Sequence, residues 1–161
     1  MLRSTSCLAF ALACAAAVAA SDARAATPDP GIKKQLEGLD LKYEVDSDGD
    51  YKVVFDLGGG RTQLVWIRSS TEKYGSVNVR EIWSAGYKHG GKPLSEKIAN
   101  RLLEHSHGVI LGGWTKQKEF AMFVVKIPLT ATPQQLRDAA EAAADCADEI
   151  EKELTPTKDD L

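Results

Sequence analysis

Hydrophobic and polar positions along this chain follow two periods. Residues 41–67 read LKYEVDSDGDYKVVFDLGGGRTQLVWI. Leu41, Tyr43 and Val45 alternate with Lys42, Glu44 and Asp46. Tyr51, Val53, Phe55 and Leu57 alternate with Lys52, Val54 and Asp56. A period of two places one series on each face of a sheet. The Asp48-Gly49 pair and the Gly58-Gly59-Gly60 run break the pattern into three strands, a β-meander. In the third strand, Thr62 to Arg68, both faces are apolar: Leu64 and Trp66 on one, Val65 and Ile67 on the other. That predicts a central strand covered on both sides.

Beyond the meander, Ser69 to Ser76 reads as a polar turn and Val77 to Trp83 as a fourth strand. SAGYKHGGK, residues 84–92, is glycine-rich and predicts a loop. Val109 to Thr115 and Glu119 to Ile127 form a second hairpin, turned at Lys116-Gln117-Lys118. Its second strand is again apolar on both faces, with Phe120, Met122 and Val124 opposite Ala121, Phe123 and Val125.

Three segments carry the helical period. Asp29-Pro30 is a cap followed by a first-turn proline, and Ile32, Leu36 and Leu39 follow at helical spacing. Ser95 caps a second helix to about His105. Its stripe is Leu94, Ile98 and Leu102, flanked by Ala99 and Leu103, and Gly108 stops it. Thr132-Pro133-Gln134-Gln135 is a capping-box start. Leu136, Ala140, Ala143, Ala147, Ile150 and Leu154 then give one narrow face built largely of alanine. Such a face suits close approach to a sheet or to a partner helix. The reading is an α+β domain: an antiparallel sheet of about five to six strands packed with helices, in the order α-β-β-β-β-α-β-β-α.

The first 25 residues have a different character. Arg3 is a positive start, Leu8 to Ala20 is apolar and Ala-rich, and Ala23-Arg24-Ala25 is a cleavage signature. This predicts a signal peptide cut after Ala25 and a periplasmic or secreted protein. Residues 26–31 read as a linker, 32–154 as the domain and 155–161 as a flexible tail. The apolar run is too short for a comfortable span and no later run is longer, so no membrane insertion is expected after cleavage. Of three cysteines, Cys7 and Cys14 fall in this segment and Cys146 remains. An exported domain with one cysteine has no internal disulfide and no cysteine zinc cluster. Cys146 reads as a small core thiol, with a bridge between subunits as the alternative. The net charge of −3 argues against a nucleic-acid partner.

The chemistry-bearing candidates each have a plain structural explanation. Asp46, Asp48 and Asp50 alternate like calcium ligands, but Gly49 and Leu57 stand where an EF-hand loop differs, so a hairpin turn accounts for them. His105 and His107 close a helix, where an imidazolium complements the dipole. With His89 they would be the residues of a metal or small-ligand sensor. Gly58-Gly59-Gly60-Arg61 lacks the Lys-Ser/Thr of a phosphate loop. Trp66 and Trp114 lie inside strands and read as core. Trp83, Tyr87, Lys88 and His89, around the glycine-rich stretch, are the candidate partner surface. No nucleophile elbow, H-E-x-x-H helix or Cys-His motif is present. No cofactor is expected.

Several stretches together resemble the YbjN domain family, whose fold is like that of type III secretion chaperones. They are LKYEVDSDGDYKVVFDL, QLVWI, LSEKIANRLLE, LGGW and AAADCADEIEKEL, spanning about residues 32–154. The resemblance implies helices against an antiparallel sheet, a homodimer and a protein-binding role. It supplies no binding residues, and the export signal departs from a cytoplasmic chaperone's setting. The expectation is therefore an exported, non-catalytic binding module, chaperone-like or regulatory, that recognises a protein or peptide. A periplasmic small-ligand or metal sensor and an enzyme of unrecognised type remain the alternatives.

Overall fold

A computed structural model describes residues 27–157 and Leu161. The expected signal peptide, residues 1–25, and its cleavage site lie outside the described residues. Three helices and six strands follow the expected order. They are α1 (Pro30–Gly38), β1 (Glu44–Val45), β2 (Tyr51–Gly58), β3 (Arg61–Tyr74), β4 (Val77–Lys88), α2 (Glu96–Gly108), β5 (Gly113–Gln117), β6 (Phe120–Pro128) and α3 (Pro133–Leu154). The strands make one antiparallel sheet ordered β1-β2-β3-β4-β6-β5. The architecture is α+β.

The helix starts are those the side chains dictate. Asp29 Oδ1 accepts from the Gly31 N–H at 2.7 Å. Ser95 Oγ accepts from the Ile98 N–H at 3.3 Å. Thr132 and Gln135 bond reciprocally, closing a full capping box. The Asp29 cap is also tied to the sheet. Its Oδ2 pairs with Arg80 Nη2 at 2.5 Å, and the Tyr51 hydroxyl donates to its carbonyl at 2.9 Å. Burial pushes the Asp29 carboxyl up, but Arg80 and the Gly31 N–H outweigh it and hold it below the ordinary value.

α1 and α3 cover one face of the sheet. Ile32, Leu36, Tyr51, Val53, Val65, Ile67, Ile82, Phe123, Val125 and Leu136 pack there with Ala139, Ala140, Ala143 and Ala144. α2 adds Leu102, which meets Ala121 and Ile150. The alanine face of α3 is thus filled by its own sheet, not by a second copy. At its closest approach, a Cβ on Gly86 would stand 2.9 Å from the Ala147 carbonyl oxygen and 2.3 Å from the Trp114 ring. Only glycine fits there.

The first strand of the meander shrinks to Glu44–Val45, and the strand expected from Val109 starts at Gly113 and turns at Lys118-Glu119. Two further segments differ in kind from the sequence reading. Residues 69–76 are not a broad turn: after a register shift between Ile67 and Thr71, β3 and β4 pair on to Tyr74↔Val77, joined by Gly75-Ser76. Gly75 has φ of +58°, as a two-residue hairpin with glycine first requires. Backbone pairing holds this polar arm, so it shows no apolar alternation. Residues 84–88 are likewise strand: β4 runs through Lys88 with a register shift between Ala85 and Tyr87. The bulge at Gly86 disguises the strand as a loop.

Candidate functional site: the open face of the sheet

The second face of the sheet carries a different apolar cluster. Ala85, Met122 and Val124 are buried, and Trp66, Trp83, Phe120 and Leu161 pack half-buried against them. All but Leu161 come from strands. The double-sided apolar pattern of β3 and β6 had predicted strands covered on both sides. Among the described residues, helices contribute to the other core and not to this cluster. The second apolar row is instead a surface.

Strand register builds that surface. Lys52, Trp66, Trp83 and Val124 lie side by side across β2, β3, β4 and β6. One step along, Val54 pairs with Leu64 and Ala85 with Met122. Trp66 is therefore not in the main core, as its strand position had implied, but beside Trp83 on the open face. Together with the 46–50 turn and the β5–β6 turn they bound a cleft of about 550 Å³. Leu161 lies in its lining.

Charged groups frame the cleft. The Arg68 guanidinium sits 4.1 Å over the Trp83 ring and its Nε is 2.6 Å from Asp50 Oδ2. Asp50 Oδ1 accepts from the Ser69 N–H at 2.7 Å. Burial and the nearby Asp46 and Asp48 still leave the Asp50 carboxyl above its ordinary range, against the pull of Ser69 and Arg68. Trp83 Nε1 donates to Glu81 at 2.9 Å, and Lys126 pairs with Glu81 at 2.9 Å. The acidic turn organises itself: Asp46 Oδ1 accepts from the N–H groups of Asp48 and Asp50, each at 3.0 Å.

The four residues of the expected partner surface separate in space. Trp83 is on the open face. Lys88 is there too, with its ammonium 5.5 Å from the Phe120 ring. Tyr87, just past the bulge, packs with Leu102, Ala121 and Ile150 on the helix side. His89 opens the following loop, and its N–H bonds the Glu119 carbonyl at 2.8 Å. Trp66, Phe120 and Met122 belong to the cleft and were missed. Their signal is the extra apolar row of β3 and β6, which in sequence reads the same whether a layer covers it or not.

Another polar cluster is structural in geometry. Arg61 Nε lies 2.6 Å from Asp148 Oδ1, its Nη2 lies 3.0 Å from Glu151 Oε2, and Lys152 also pairs with Asp148. Burial raises the Asp148 carboxyl, but Lys152 and Arg61 reverse it, and the net is below the ordinary value. These contacts clamp the β2–β3 hairpin to α3. A groove of about 560 Å³ beside them is lined by Asp145, Asp148, Glu149, Lys152 and Glu153. Burial, with Glu141 and Asp148 nearby, pushes the Asp145 carboxyl up.

His105 does not simply cap its helix in solvent, as its position suggested. It is buried, its Nδ1 accepts from Trp114 Nε1 at 3.1 Å, and its Nε2 faces Glu149 at 3.4 Å. That acceptor role requires the proton on Nε2 in the neutral ring. Cys146, half-buried beside the main core, has its thiol pushed up to about 11 by burial and by Glu149 and Asp145. It is a thiol of low nucleophilicity. Among the described residues, no group of three or more His, Cys, Asp or Glu is placed to hold a metal ion. Nor is any described helix long and apolar enough to cross a membrane.

The class defined by this geometry is an α+β domain with helices on one sheet face and an aromatic cleft on the other. No protein-family model matches the chain, and no curated protein matches it.

Proposed function

We propose that this chain is an exported, non-catalytic binding module that recognises a protein or peptide segment on its open sheet face. Its YbjN-like sequence stretches support that class. One observation carries the reading: Trp66 and Trp83 stand as a cross-strand pair beside a cleft of about 550 Å³, on a face no described helix fills. Tryptophan is the residue type most often found to dominate binding energy at such surfaces. A rigid sheet behind the rings keeps the ordering cost of binding low. Phe120 and Met122 extend the apolar floor, and Arg68 over Trp83 fixes one ring.

The test is binding of the full chain to an array of short extended peptides, beside the Trp66→Ala/Trp83→Ala double variant. Peptides that bind the parent chain and lose at least about tenfold in affinity with the variant support the reading. An unchanged profile would place recognition elsewhere and sink it.

A further inference from the structure

The cleft already holds an occupant from its own chain. Leu161 packs against Ala85, Met122 and Val124 with Trp66, Trp83 and Phe120. The floor it covers is dry enough that Met122 and Val124 are each only 6% exposed. The site therefore accepts a large aliphatic side chain.

The rim has the opposite character. Asp46, Asp48, Asp50 and Glu119 face Arg68 and Lys118 around the opening. Arg68 is engaged by Asp50 and by the Trp83 ring, so Asp46, Asp48 and Glu119 stand against Lys118 and the Lys88 that lies over Phe120. The remaining rim is net negative. Leu161 is thus chemically right for the floor but brings no cation to the rim. A segment combining an apolar residue with cationic neighbours satisfies both.

We propose that the open-face cleft binds an extended peptide segment in which a large apolar residue is flanked by lysine or arginine, and that Leu161 occupies the floor until such a segment displaces it. The proposal rests on the open-face reading above and specifies its ligand class and its internal competitor. An intramolecular side chain competes at high effective concentration, so it lowers apparent affinity without any change in fold.

The experiment uses the full chain and two labelled probes, acetyl-Lys-Leu-Lys-Phe-Lys and acetyl-Glu-Leu-Glu-Phe-Glu, followed by fluorescence anisotropy. The lysine probe is expected to bind at least about tenfold tighter, and its affinity to fall with added salt. Leu161→Ser should tighten the lysine probe by about three- to tenfold. Asp48→Lys, at an exposed turn position, should weaken it by about threefold or more. Equal binding of the two probes would overturn the cationic specificity. No gain from Leu161→Ser would overturn the competitor role, while loss of binding in Trp66→Ala/Trp83→Ala would keep the open-face reading standing. Retention of full affinity by that double variant would remove both at once.

Discussion

On one side of the sheet, β6 sends Ala121, Phe123, Val125 and Ile127 under the helices. On the other it sends Phe120, Met122 and Val124 to a face without a helix. The two rows have similar hydrophobicity, yet their packing differs. Phe123 is fully buried against the Trp114 and His105 rings, with centroids 5.3 and 6.2 Å away. Phe120 is half-buried and has the Lys88 ammonium over it. One face is held by volume complementarity and the other is left able to exchange contacts. If the open face is the recognition surface proposed above, substitutions on the two faces should separate into effects on stability and effects on binding.

The largest expected break is Phe123→Ala, which opens a cavity under α3 and should cost about 3–5 kcal/mol by urea denaturation. Close behind it is Arg61→Met. That change leaves the buried Asp148 and Glu151 carboxylates without the guanidinium and should cost about 3 kcal/mol. Trp83→Ala on the open face should cost only about 1 kcal/mol while weakening the peptide binding proposed above by about tenfold. A stability loss as large as that of Phe123→Ala would dissolve the distinction between the faces.

The smallest expected effect is on the acid limb of stability. Asp29 and Asp148 have folded values held below the ordinary 3.8. Their contribution is present above 3.8 and is lost as pH falls through the folded values. Asp50 is raised, so its contribution is complete below 3.8 and is lost as pH rises through its folded value. Urea midpoints taken from ~pH 6 down to ~pH 3 should fall, and Asp29→Asn should flatten that fall. An identical acid limb in Asp29→Asn would show that the cap's pairing with Arg80 carries no pH dependence.

Much of the fold was legible because local rules and global packing agree in it. Asp29-Pro30, Ser95 and Thr132-Pro133 each start the helix they advertise, since a cap acts within a few residues. The alternation in residues 51–67 gave β2 and β3 their faces. The polar β3–β4 arm was not legible, because its backbone ladder needs no apolar side chains. β4 past Trp83 was hidden by Gly86, a glycine present for close approach of α3 and not for a loop. His105 looked like a helix-end residue because the indole that binds it lies nine positions further on.

By itself the sequence determined the element order, the three helix starts, the antiparallel hairpins and an apolar row on each side of β3 and β6. Those follow from periodicity and short-range hydrogen bonding, which act within a few residues. The tertiary structure decided which row the helices cover. It also decided that the alanine face of α3 meets its own sheet, and that Trp66, Trp83, Phe120 and Leu161 share one cleft. An apolar side chain has the same hydrophobicity whichever surface it will meet. Only the placement of the helices on one face tells the covered core from the open apolar face.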